Sequence, residues 1–122
     1  MAKEVYNRAA CSAAATDDKS ADGTHHHYEF SHTPTPGGPT VPLSKLKFQN
    51  GLADEVGVNG VTDRMVIAAV IDHIAGFQTG PFACPQNEYA LTSLRNAIAW
   101  LDNRPVIRTP HQGATPNGAT KE

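Results

Sequence analysis

Two helical runs joined by a connection too short for anything but a reversal constrain this chain most. The first is predicted to begin at Thr62, whose hydroxyl is a good N-cap acceptor just ahead of an apolar run. Along it Met65, Val66, Ile67, Val70, Ile71, Ile74 and Phe77 make an apolar surface wider than one partner helix covers. Gly80 is expected to supply the C′ residue and Pro81 to block continuation. Pro85 suits the first turn of the second helix, because its φ is already helical and its missing N–H is not needed there. In that helix Leu91, Leu94, Ile98 and Leu101 recur at an a/d-like spacing. Asn103-Arg104-Pro105 ends it, since a residue before proline is pushed out of the helical region. The result is an antiparallel helical hairpin over 62–104.

Ahead of it, Leu43 to Gln49 alternates Leu46 and Phe48 with Lys45, Lys47 and Gln49, the period of a half-buried strand. Asn50-Gly51 is a strong tight-turn dipeptide, so Leu52 to Val58 is expected to return as a second strand, with Asn59-Gly60 turning into the helix. Thr24 to His32 reads as a short edge strand, and the Pro/Gly-rich 33–40 as a loop. Met1 to Gly23 offers no sustained apolar face and is expected to be a flexible tail. The fold class is therefore α+β: a small antiparallel sheet and then the helical hairpin, forming one domain over 24–108, with a C-terminal tail from 109 to 122.

A chain of 122 residues with net charge −2 has room for one small domain and no strong attraction to nucleic acid or anionic lipid. No apolar run approaches the roughly 20 residues of a membrane span, and no signal-peptide core follows Met1, so a cytosolic location is expected. Cys11 and Cys84 lie in unrelated contexts, which argues against a disulfide and for a buried structural thiol at Cys84. A unit this small buries little, while the first helix is apolar nearly all round and Trp100 lies off the main seam of the second. A second copy of the chain is the simplest cover, and a homo-oligomer is expected.

Candidate chemistry is sparse. His25, His26, His27 and His32 invite a metal reading, but neighbouring residues on a strand point to opposite faces, so the first three cannot converge on one ion. Asp72 and His73 do not face each other on a helix. No phosphate-binding glycine loop, HExxH or nucleophile elbow is present, so no catalytic residue or cofactor is expected. Arg104 and Arg108, four residues apart, either complement the negative end of the second helix or grip phosphate oxygens through their planar forks.

Phe48-Gln49-Asn50-Gly51, Glu55 to Val61, Phe77 to Cys84, and then Asn87, Ala90, Leu91 and Leu94 together resemble the phage anti-Thoeris sponge proteins. Their helical hairpin is shared with the sponges that counter CBASS defence. The resemblance spans about Leu46 to Arg108. It implies a protein that is not an enzyme: one that binds a cyclic nucleotide alarm signal, typically a glycocyclic ADP-ribose, in the infected bacterial cell and withholds it from the host effector. It also implies a homodimer able to assemble to a hexamer. Carried over, Phe77 stacks on a base, Asn87 hydrogen-bonds the ligand, and Arg104 and Arg108 hold the pyrophosphate.

Some relatives hold cyclic di- or trinucleotides at a second site, but Thr79 stands here where a basic side chain would help. The family's basic segment beyond the arginines is also replaced by Thr109 to Thr115, and Pro105 interrupts the helix early. The reading from another class is an oligomeric hairpin adaptor, or a small phage structural protein, with no nucleotide ligand.

Overall fold

Ala9 and Ala10 both adopt positive φ, 53° and 64°. This is the backbone of a two-residue hairpin turn whose twist matches the strands it joins. It links β1 (Lys3–Arg8) to β2 (Cys11–Ala15), with Arg8 opposite Cys11. The N-terminal stretch expected to be a flexible tail is thus a strand pair. The sheet continues through β3 (His27–His32) and β4 (Val41–Lys47), antiparallel and in chain order. β3 lies between β2 and β4, so the expectation of an edge strand there is corrected: the alanines of β2 provide the neighbour. The computed structural model describes residues 2–106 and 120–121.

Cross-strand pairing explains how so alanine-rich a segment becomes a strand. Ala13 lies opposite Phe30 and Ala15 opposite Tyr28, and the two alanines are almost fully buried. Small side chains beneath large rings fill one face, so the segment gains from packing what it lacks in intrinsic strand preference. Tyr28 also meets Phe48 edge to face at 5.6 Å. On the opposite face the Ser12 and Ser31 hydroxyls share a hydrogen bond of 2.9 Å.

The expected return strand over 52–58 does not form. A four-residue helix, α1 (Ala53–Val56), stands there. The reason is a clasp of side-chain amides. Gln49 Oε1 accepts from the backbone N–H groups of Asn59 and Gly60, while its Nε2 donates to the carbonyls of Gly51 and Gly57. Asn59 meets the Asn50 backbone in both directions, at 2.8 and 2.9 Å. These bonds close 49–60 as a loop and occupy groups a hairpin ladder would need.

Beside it Phe48 and Val61 form a parallel bridge. A Cβ on Gly60 would lie 2.5 Å from the Phe48 carbonyl carbon and 2.6 Å from its oxygen. Gly60→Ala is therefore expected to destabilise the sheet unit by about 1–3 kcal/mol, because the obstruction is backbone and cannot rotate away. A urea midpoint equal to wild type would refute this.

The chain divides between Val61 and Thr62 into two compact units. The second is the hairpin: α2 (Asp63–Phe77) and α3 (Pro85–Asp102). Thr62 caps α2 as anticipated, its hydroxyl accepting from Met65 N at 3.2 Å. α2 ends earlier than expected, with Gln78 rather than a residue next to Gly80 as its C-cap. Successive turn bonds from Gln78, Thr79 and Gly80 to the carbonyls of Ala75, Gly76 and Phe77 tighten the exit. Pro85 opens α3, and Asn103 closes it by donating Nδ2 to the Ala99 carbonyl. Leu91 is the buried anchor between the helices, while Leu94, Ile98 and Leu101 are half-buried.

β5 (Pro105–Val106) pairs with β6 (Thr120–Lys121). The rest of the expected C-terminal tail, and Arg108, lie outside the described residues. Among the described residues no helix is long and apolar enough to cross a membrane. The architecture is α+β, a four-stranded antiparallel sheet followed by helices, as the sequence pattern anticipated.

Candidate functional site

The Gln78 side chain ties the connection between α2 and α3 to the start of α3. Gln78 Oε1 accepts from Cys84 N at 2.9 Å, and its Nε2 donates to the Cys84 carbonyl at 3.0 Å and to Glu88 Oε2 at 2.9 Å. A backbone N–H can only donate and a carbonyl can only accept, so these partners fix which end of the Gln78 amide is oxygen. That orientation in turn fixes Asn87: its Nδ2 donates to Gln78 Oε1 at 3.0 Å and to the Phe82 carbonyl at 3.4 Å. Its Oδ1 remains the atom through which Asn87 can accept from a ligand. Cys84 is half-buried rather than buried, a free thiol at the N-cap of α3; Cys11, also free and half-buried, is a residue of β2.

Phe77, on the last turn of α2, is the middle of three rings. It meets His73 edge to face at 5.0 Å and Phe82 edge to face at 6.5 Å. It is 41% exposed, so part of its surface faces solvent. Phe77 and Asn87 are thus at the same end of the hairpin, as expected from their places in the sequence.

Arg104 is at the other end. Its Nη1 lies 3.7 Å from Asp63 Oδ2, on the first turn of α2. A reciprocal pair, Arg64 Nη1 to Asp102 Oδ1 at 3.4 Å, crosses the same end in the opposite sense. Asp63 also suits the positive end of its own helix. Residue types alone do not single out Asp63; the antiparallel helices bring it to Arg104. From Asn87 to Arg104 the rise of α3 alone spans about 25 Å, at 1.5 Å per residue over roughly 17 residues. One hairpin brings Phe77 and Asn87 together and holds Arg104 apart from them.

The histidine cluster serves the sheet unit. The Asp17 carboxylate accepts from the backbone N–H groups of His26 and His27, and lies 3.3 Å from His27 Nδ1. His25 Nδ1 donates to the Asp17 carbonyl at 2.7 Å, which leaves Nε2 buried without a hydrogen-bond partner. These contacts close the β2–β3 connection. Partial removal from water would raise the Asp17 pKa. The bonds from the His26 and His27 backbone and the His27 ring outweigh it, holding the carboxyl well below the usual 3.8.

A depressed folded-state pKa means stability that is present above the unfolded value and lost as pH falls below it. Wild type is therefore expected to lose melting temperature below about pH 4, whereas Asp17→Asn is less stable at neutral pH and flatter in acid. The two melting curves should converge at the lowest pH. Parallel curves across the acid range would exclude Asp17 as the titrating group.

Comparison with known proteins bears on the hairpin. The family model described as the Acb2/Tad1 hairpin domain matches residues 44–104, half of the chain. The protein Thoeris anti-defense 1 of Bacillus phage SBSphiJ7 is 39% identical over 66 residues, covering 54% of this chain and 46% of that protein. The chain thus spans about half the length of the curated relative it matches. The matched segment takes in β4 from Ser44, the amide-clasped loop, and the hairpin through Arg104. The chain belongs to the Acb2/Tad1 hairpin-domain family, the phage anti-Thoeris sponges its residues resemble.

Proposed function

We propose that this protein is a phage anti-defence sponge that binds a cyclic nucleotide immune signal of the glycocyclic ADP-ribose type, without cleaving it, in the cytoplasm of the infected bacterial cell. Withholding the signal keeps the Thoeris effector from being activated. The reading rests on the family match over 44–104. The name of the relative, an anti-defence protein acting on Thoeris, gives it direction.

The residues supply the needed chemistry. Phe77 offers a stacking face, worth about 1–3 kcal/mol per base. Asn87 offers Oδ1 as an acceptor, and Arg104 and Arg108 offer guanidinium forks for the pyrophosphate. The ends of one hairpin are about 25 Å apart, so a single enclosed pocket requires the arginine end of a second, antiparallel copy. Ligand binding and homo-oligomer formation, as a dimer or a hexamer built from dimers, are then one requirement. No cofactor, metal, membrane or nucleic-acid polymer enters this mechanism.

Sequestration at submicromolar signal levels needs nanomolar affinity, about −12 kcal/mol. A small polar ligand reaches that only in a preorganised, enclosed site. The test is calorimetric titration of the full chain with glycocyclic ADP-ribose, followed by heating and recovery of the ligand. Tight binding with intact ligand released is the expected result. Absence of both heat and a melting shift with this ligand would overturn the proposal and favour the adaptor. Cyclic di- and trinucleotides in the same assay address a second site.

A further inference from the structure

Phe82 is 72% exposed, more than Phe77, although it sits in the short connection between two packed helices. Large apolar side chains in flexible loops normally fold back against the surface; this one is held outward. Gln78 clamps both the N–H and the carbonyl of Cys84, Asn87 Nδ2 reaches the Phe82 carbonyl, and Ala83 N bonds to the Gly80 carbonyl at 3.3 Å. The Phe82 ring meets Phe77 at an interplanar angle of 85°. Phe77 has two rings against it, His73 and Phe82. The more open aromatic surface of this corner therefore belongs to Phe82.

We infer that Phe82 is a second stacking surface of the ligand site, which takes a planar nucleobase beside Phe77, and that Gln78 is the positioning residue that holds it ready. The inference rests on the nucleotide-binding reading above and extends it. Three features point to a base. The Phe77 and Phe82 ring centroids are 6.5 Å apart, so a base stacked on Phe82 is received at the same corner of the hairpin as Phe77. Asn87 Oδ1, an acceptor suited to an exocyclic amine, belongs to the first turn of α3, and Asn87 Nδ2 already reaches the Phe82 carbonyl. The backbone under Phe82 is already ordered, so stacking there requires little further loss of freedom. Gln78 acts through Asn87 and Cys84.

The test uses the full chain with glycocyclic ADP-ribose as probe. Phe82→Leu keeps apolar bulk but removes the π face, and is expected to weaken binding about tenfold or more, with melting temperature and oligomer size unchanged. Phe82→Trp is expected to restore affinity. In a Trp100→Phe background it is the sole tryptophan, since Trp100 is the only one in the chain, and its fluorescence should be quenched by the stacked base. Gln78→Ala should weaken binding and reduce that quenching in parallel. Wild-type affinity in Phe82→Leu, or unaltered fluorescence on saturation, would overturn the inference while leaving the sponge reading intact. Loss of the oligomer in Phe82→Leu would overturn it by making Phe82 an interface residue. No binding by wild type would remove both.

Discussion

Replacing Leu91 by alanine is expected to cost about 2–5 kcal/mol, the range for deleting a buried leucine side chain in a packed interior. Leu91 is 2% exposed and is the one large side chain among the described residues that is buried to this degree. Its neighbours on the seam, Leu94, Ile98 and Leu101, are half-buried, so they cannot share its role. A hairpin of two helices has little other enclosed apolar surface from which to draw stability. For a domain of this size each kcal/mol shifts the melting temperature by about 4–8 °C, so a fall of about 10 °C or more should be visible by circular dichroism. Ile98→Val, which trims a half-buried position by one methyl, should cost about 0.5–1.5 kcal/mol at most. Equal midpoints for the leucine and isoleucine variants would mean that the helices do not depend on this contact.

The hairpin was legible because its signals are local. Thr62 caps within three residues, Pro85 acts at its own φ, and the leucine seam repeats each turn. The N-terminal strands were not legible for the opposite reason. Their turn is Ala9-Ala10, where positive φ is uncommon without glycine or asparagine, and strand formation in Cys11–Ala15 depends on rings in a strand more than ten residues away. Asn50-Gly51 misled because a turn dipeptide speaks only for its own four residues. The Gln49 and Asn59 amides, reaching across the loop, decide the conformation beyond that turn.

The same division runs through the candidate site. The resemblance proposes Phe77, Asn87 and Arg104 as site residues, and the hairpin explains why Phe77 and Asn87 share one end. Gln78 and Asp63 could not be picked out. Gln78 matters because it bonds to Cys84, Asn87 and Glu88 at once, and Asp63 because antiparallel packing brings it to Arg104. Distant partners of this kind become visible only once the helices are placed.

Arg104→Ala is expected to weaken binding of glycocyclic ADP-ribose at least tenfold, and by about 2–5 kcal/mol where the guanidinium–phosphate contact is enclosed. Arg108→Ala should do the same, and the oligomer should survive both changes. The size of the effect reflects an exchange of partners. Arg104 faces Asp63 across 3.7 Å, and both side chains are about half exposed, so their attraction is screened. Such a surface pair is worth about 0–1 kcal/mol, much less than a diphosphate held by the same fork in a site closed to water. Asp63 is therefore a weak competitor rather than a lock. Asp63→Asn should tighten binding by at most about fivefold and should raise the association rate at low salt, since one repelling carboxylate is gone. The double variant should bind as weakly as Arg104→Ala alone, because without the guanidinium the carboxylate has nothing to compete for. Unchanged affinity in both arginine variants would take the arginines out of the site. A gain from Asp63→Asn that persists in the Arg104→Ala background would show that Asp63 acts on the ligand directly.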